Sequence, residues 1–222
     1  MKTETSLIRN TKITMPNGKQ LRMLIALIAV LLVFLTAWGV HTYIATRNLR
    51  AAHQALVEGL EEFEKNMTAK AGEQKWGDVA RTFDAAHKLY GSTVLGSSFL
   101  AYQSRALVYE NKLDEAIKVM GRAVDSLKKS SPLFYTYSTK YALMKTDSTD
   151  QKIHAEGEKE LESLAKDPLN QQRDYALYYA GLRALNDNDG KKAQLLWSQI
   201  SQVNPASVWL PLVEKKRESS GL

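Results

Sequence analysis

The residues best equipped for chemistry in this chain are four histidines, His41, His53, His87 and His154. They fall on different predicted helices, and none belongs to the i, i+4 pair of an HExxH zinc motif. His87 lies on an apolar helical stripe, where packing is its expected role, and His41 lies at the edge of an apolar run. The chain has no cysteine, which excludes thiolate nucleophiles, disulfides and cysteine metal sites. Gly91-Ser-Thr-Val-Leu-Gly96-Ser97-Ser98 imitates the glycines of a phosphate-binding loop. It lacks the lysine before the final Ser/Thr, and no strand pattern precedes it, so its expected job is to link two helices. Glu156, Glu158, Glu160 and Glu162 recur at every second position. That spacing spreads carboxylates around a helix instead of converging them on a cation, as on a solvated face. No GxSxG elbow is present. These patterns predict no catalytic, cofactor-binding or metal-ligating residue, no cofactor and no enzyme.

Composition narrows the class further. Of 222 residues, 44% are hydrophobic and 24% charged, enough for a folded core. Twelve Gly and five Pro are too few turn residues for an all-β fold, and the abundance of Ala, Leu, Lys and Glu favours helices. The net charge of +6 invites a nucleic-acid partner, but residues 1–22 hold Lys2, Arg9, Lys12, Lys19 and Arg22 against Glu4 alone. Most of the excess therefore sits in a tail, and no nucleic-acid interface is expected.

Met23 to Ile44 contains no Asp, Glu, Lys or Arg. As a helix it would extend about 33 Å, enough for a hydrocarbon core of about 30 Å. Trp38 and Tyr43 sit toward its far end, where amphipathic rings favour the headgroup layer. A cleaved leader would need small residues before its cut. The nearest candidate, Ala45, follows Tyr43 and Ile44, so an uncleaved signal-anchor is expected. Cations flank the N-terminal end, whereas Arg47 and Arg50 are soon followed by Glu58, Glu61, Glu62 and Glu64. The positive-inside bias predicts a cytoplasmic tail over 1–22, a transmembrane helix over 23–44 and the remainder across the membrane. The span has no GxxxG, leaving self-association there without a specific motif.

Beyond the span, Leu49, Ala52, Leu56, Leu60, Phe63 and Met67 recur at three- and four-residue intervals. They predict a linker or first amphipathic helix over 45–70 that is able to continue the span. Further stripes predict helices over 76–90, 94–110, 113–127, 133–145, 150–166, 172–186, 190–203 and 206–217. Gly91, Ser130-Ser131-Pro132, Asp150, Asp167-Pro168, Asn188-Asp189-Gly190 and Asn204-Pro205 mark their edges. Ala80, Ala116, Ala155 and Ala193 fall near the start of the second helix of successive pairs, spaced by 36, 39 and 38 residues. A small side chain there lets two helices cross closely.

Leu177-Tyr-Tyr-Ala-Gly181, Gly190-Lys-Lys-Ala193, Trp197, Ile200 and Asn204-Pro205 resemble a tetratricopeptide repeat. Leu100, Ser104, Leu107, Asn111-Lys-Leu-Asp-Glu-Ala116, Met120 and Ala123 resemble another, without its closing proline. The expected fold is all-α: a transmembrane helix followed by a tetratricopeptide-like α-solenoid of about four helix pairs over 71–222. The architecture, with the linker helix ending in Leu56-Val57-Glu58-Gly59-Leu60, resembles the YfgM-like ancillary subunits of the SecYEG translocon. That resemblance implies a bacterial inner-membrane protein with a periplasmic domain. It also implies association with the translocon and with a membrane-anchored periplasmic chaperone of the prolyl-isomerase type.

In such arrays the first helix of each pair lines a concave surface. The resemblance therefore assigns protein contacts to Ser98, Ala101, Arg105 and Val108 from one unit, and Tyr175, Tyr178, Leu182 and Leu185 from the last. Phe134-Tyr135-Thr136-Tyr137 and Tyr141 lie between them, and each tyrosine suits inter-helix packing as well as it suits a partner. Two functions stay open: a binding module assisting protein export or periplasmic folding of client chains, and a scaffold for another envelope complex.

Overall fold

The computed structural model describes residues 18–221. The tail charges Lys2, Glu4, Arg9 and Lys12 lie outside the described residues. Among the described residues every regular element is a helix: α1 (Gly18–Thr68), α2 (Trp76–Tyr90), α3 (Gly96–Tyr109), α4 (Leu113–Asp125), α5 (Pro132–Thr146), α6 (Gln151–Lys166), α7 (Arg173–Asn186), α8 (Gly190–Val203) and α9 (Leu210–Ser220). The chain divides into two compact units at Arg47 and Asn48.

The first unit holds the apolar run. One helix near the N-terminus is long and apolar enough to span a membrane, and none of its most apolar stretch is buried within the protein. Val30, Val33, Phe34, Trp38 and Tyr43 are all exposed. The hydroxyls of Thr36 and Thr42 donate to carbonyls three and four residues back, at 2.9 to 3.0 Å. Their polarity is thereby satisfied inside the helix, a requirement wherever water is excluded. His41 and His53, expected on separate helices, share α1.

The second unit begins at Asn48, so the expected linker is its first helix. Ala52, Gly59 and Phe63 of α1 are buried, whereas Met67, expected on the same stripe, is 46% exposed. Asn66 occupies the buried position instead and accepts the Lys75 backbone N–H at 2.6 Å. From α2 to α8 each helix packs on the one that follows it, as short turns between amphipathic helices require. One apolar cluster gathers α1 to α4, around Phe83, Phe99 and Leu100. A second gathers α5 to α9, around Leu161, Leu177, Trp197 and Ile200. Helix α5 serves both: Tyr137 belongs to the first and Ala142 to the second.

Small residues mark the helix crossings. Gly59 faces Phe83, and Gly181 faces Trp197. Ser104 donates its hydroxyl to the Ala116 carbonyl at 2.8 Å. In α6 the residue at the crossing is Gly157, whose added Cβ would lie 2.6 Å from Lys145 Cβ and 2.7 Å from the Ala142 carbonyl oxygen. Ala155, expected there, is exposed. Two positions along a helix rotate a side chain to another face, which is why an alanine count alone misplaced the crossing.

Two turns share one geometry. Asn111 between α3 and α4 and Asn188 between α7 and α8 adopt left-handed φ of 62° and 61°. In each, the next residue's N–H returns to a carbonyl five residues back, Lys112 to Leu107 and Asp189 to Ala184, at 2.9 and 2.8 Å. Asn tolerates that conformation better than branched residues do. Asp150 and Asp189 cap α6 and α8 by accepting backbone N–H groups. Pro205 is exposed in the turn after α8. Beside it, Asn204 and Ser207 donate to the buried Asp174 carboxylate at 2.9 and 2.7 Å, fastening that turn to α7.

Candidate protein-binding groove

An open groove of about 510 Å³ runs between α3 and α5. Helix α3 turns Leu100, Ser104 and Leu107 into the core, leaving Ala101, Arg105 and Val108 on its other face at i, i+4 and i+7. Helix α5 supplies Tyr137, Lys140, Leu143 and Met144 from across the groove, and Met120 of α4 adds to its apolar lining. Tyr102 and Tyr109 complete the α3 wall. The surface is apolar and aromatic with two cations.

Arg105 is exposed and aromatic-backed. Its guanidinium lies 5.0 Å from the Phe63 ring centroid and 5.8 Å from that of Tyr109, within cation–π range. It also donates to the Tyr109 hydroxyl at 3.4 Å. Burial and the Arg105 charge hold the Lys140 ammonium below the usual lysine range. Burial pushes the Tyr137 phenol up, and its hydroxyl donates to Ser98 Oγ at 3.4 Å.

Three of the four α3 residues singled out from the sequence, Ala101, Arg105 and Val108, therefore meet in one groove, and Ser98 supports its Tyr137. The α7 set does not reach it. Tyr178 is 7% exposed and stacks on Trp209 with centroids 4.8 Å apart. Tyr175 lies 5.2 Å from the same indole, and burial pushes its phenol up to about 12. Leu182 and Leu185 pack against the second core. Helix α9, through Trp209, covers what α7 alone would have left open.

The interposed tyrosines also divide. Tyr137 lines the groove, but Tyr135 donates to Asp167 at 3.0 Å, and Tyr141 carries the Lys145 ammonium on its ring at 4.4 Å. Lys140, Leu143 and Met144 were missed. Their spacing from Tyr137, three to seven residues along one helix, was the available signal.

The other residues weighed in the sequence lie away from the groove. His87 is half-buried, its Nδ1 lying 3.1 Å from the Gly96 carbonyl across the glycine-containing α2–α3 turn. The acidic run is more engaged than a solvated face. Glu160 and Glu156 lie 2.7 and 3.7 Å from the buried Lys145, and Glu162 lies 2.9 Å from Lys192 of α8. Among the described residues no three His, Asp or Glu side chains gather as a metal site would need. In comparisons with family models, curated proteins and solved structures, nothing matches this chain.

Proposed function

We propose that this chain is a single-span, membrane-anchored protein-binding module of the bacterial inner membrane. Its helix pairs stack in the tetratricopeptide manner in the periplasm, and it assists protein export or periplasmic folding at the Sec translocon. The α3–α5 groove carries this proposal: the first helices of two successive pairs present aromatic, thioether and cationic side chains toward solvent, a composition suited to protein contacts. The matching left-handed turns at Asn111 and Asn188, each five residues before a buried alanine, support a repeated unit. The apolar run of α1 supports the anchor. Confinement to a membrane raises the local concentration of the groove near other membrane proteins, so a modest intrinsic affinity suffices.

The test is co-purification of the full chain after mild detergent extraction. Recovery of translocon subunits or a membrane-anchored chaperone supports the export role. Recovery of a different envelope assembly in their place overturns it in favour of a scaffold. Protease protection in spheroplasts checks orientation: digestion of the helical domain from outside is expected, and digestion only from the cytoplasmic side overturns it.

A further inference from the structure

Arg105 and Lys140 face one groove, and neither pairs with a carboxylate among the described residues. Several cations elsewhere in the same unit do have a carboxylate partner. Lys145 meets Glu160 at 2.7 Å, Lys192 meets Glu162 at 2.9 Å and Arg183 meets Asp187 at 3.5 Å. Both residues are exposed, and like charges lining one groove repel: after burial, the Arg105 charge is what lowers the Lys140 ammonium. A carboxylate entering between them would remove that repulsion and gain charge-assisted hydrogen bonds. The rest of the lining suits neither a free ion nor a nucleic acid. Met120, Leu143 and Met144 offer an apolar, adaptable surface, because thioethers repack around different side chains.

We propose that the groove recognises a short apolar peptide segment bearing a carboxylate, which bridges Arg105 and Lys140 while neighbouring apolar side chains cover Met120, Leu143 and Met144. This rests on the protein-binding function proposed above and names the chemistry of the partner. Burying the pair without a carboxylate would leave two desolvated cations, so a neutral peptide of the same shape binds less well.

The probe is a fluorescein-labelled octapeptide of alternating Leu and Glu with blocked ends, titrated by anisotropy into the full chain in detergent micelles. Its Glu→Gln and Glu→Lys counterparts and a single-stranded oligonucleotide serve as comparisons. The Glu peptide should bind about tenfold or more tighter than the Gln peptide, and the Lys peptide and oligonucleotide weakest. A double variant, Arg105→Gln with Lys140→Gln, should abolish the Glu preference with unchanged helicity. Lys140→Glu alone should reduce the preference or turn it toward the Lys peptide. Equal binding of Glu and Gln peptides, a preference that survives the double variant, or tighter binding of the oligonucleotide overturns the carboxylate inference. Partner co-purification that persists in such a case leaves the proposed function standing, whereas its loss as well overturns both.

Discussion

The Trp197 indole lies against Gly181 and donates its Nε1–H to the Tyr178 carbonyl at 3.0 Å. One side chain thus fills the α7–α8 crossing and spends its only polar atom there. A Cβ on residue 181 would overlap the ring. Gly181→Ala should therefore cost about 1–3 kcal/mol through overpacking, and Trp197→Ala about 3–5 kcal/mol through the cavity it leaves. Urea unfolding of the full chain, followed by circular dichroism, checks both.

Trp209 fastens α9. It stacks on Tyr178, approaches Tyr175 and Tyr179, and shares that role chiefly with the buried Val213. Trp209→Ala should release α9 from the second core while α1 to α8 stay folded. Limited proteolysis should then cut in the turn after α8, near Val208, well before the variant loses bulk helicity. Unchanged protection of that turn would show that α9 is held by other contacts.

Several helix boundaries were legible in the chain because a local chemical signal marks them: Asp150 and Asp189 cap, Pro132 starts and the two asparagine turns stop. The last helix, by contrast, was expected over 206–217 after Pro205 and begins only at Leu210. The α3 half of the groove was legible through the tetratricopeptide resemblance, which implied that Ala101, Arg105 and Val108 lie on an open face of that helix. What escaped depended on partners distant in sequence. Tyr178 and Tyr175 look available on α7, but Trp209, some thirty residues on, packs against both. The α6 crossing was ambiguous for a different reason. Ala155 and Gly157 are both small, and helical phase relative to α5 decides between them.

That phase is testable. Ala155 is exposed, so Ala155→Gln should change stability by less than about 0.5 kcal/mol. At Gly157 an added methyl meets Lys145 Cβ and the Ala142 carbonyl at 2.6 and 2.7 Å. Backbone cannot step aside as a flexible side chain tip does, so Gly157→Ala should lower the denaturation midpoint clearly, despite alanine's better helix propensity. Comparable effects at the two positions would contradict the observed register.

Charge pairs across α5, α6 and α8 predict how stability varies with pH. The hydrogen bond from Lys192 pulls the Glu162 carboxyl below its usual 4.5, and the same bond raises Lys192 above 10.5. For Lys145, burial lowers the ammonium, but the Glu160 hydrogen bond, its charge and the Tyr141 ring together raise it above 10.5. Folding thus weakens proton binding at Glu162, and its stabilisation is present above pH 4.5 and lost as pH falls through the depressed value. Folding strengthens proton binding at both lysines, so theirs is present at neutral pH and disappears only as pH rises beyond 10.5. Tyr175, raised to about 12 by burial, acts in the same alkaline direction. Thermal unfolding should accordingly show a plateau between the two limbs. Glu162→Gln should flatten the acid limb while lowering the plateau only slightly, because both partners are more than a third exposed and screened by solvent. Tyr175→Phe should remove the tyrosine that titrates near 12 from an absorbance titration. An acid limb unchanged in Glu162→Gln would mean that other carboxylates set it and that the Glu162–Lys192 bridge contributes nothing measurable.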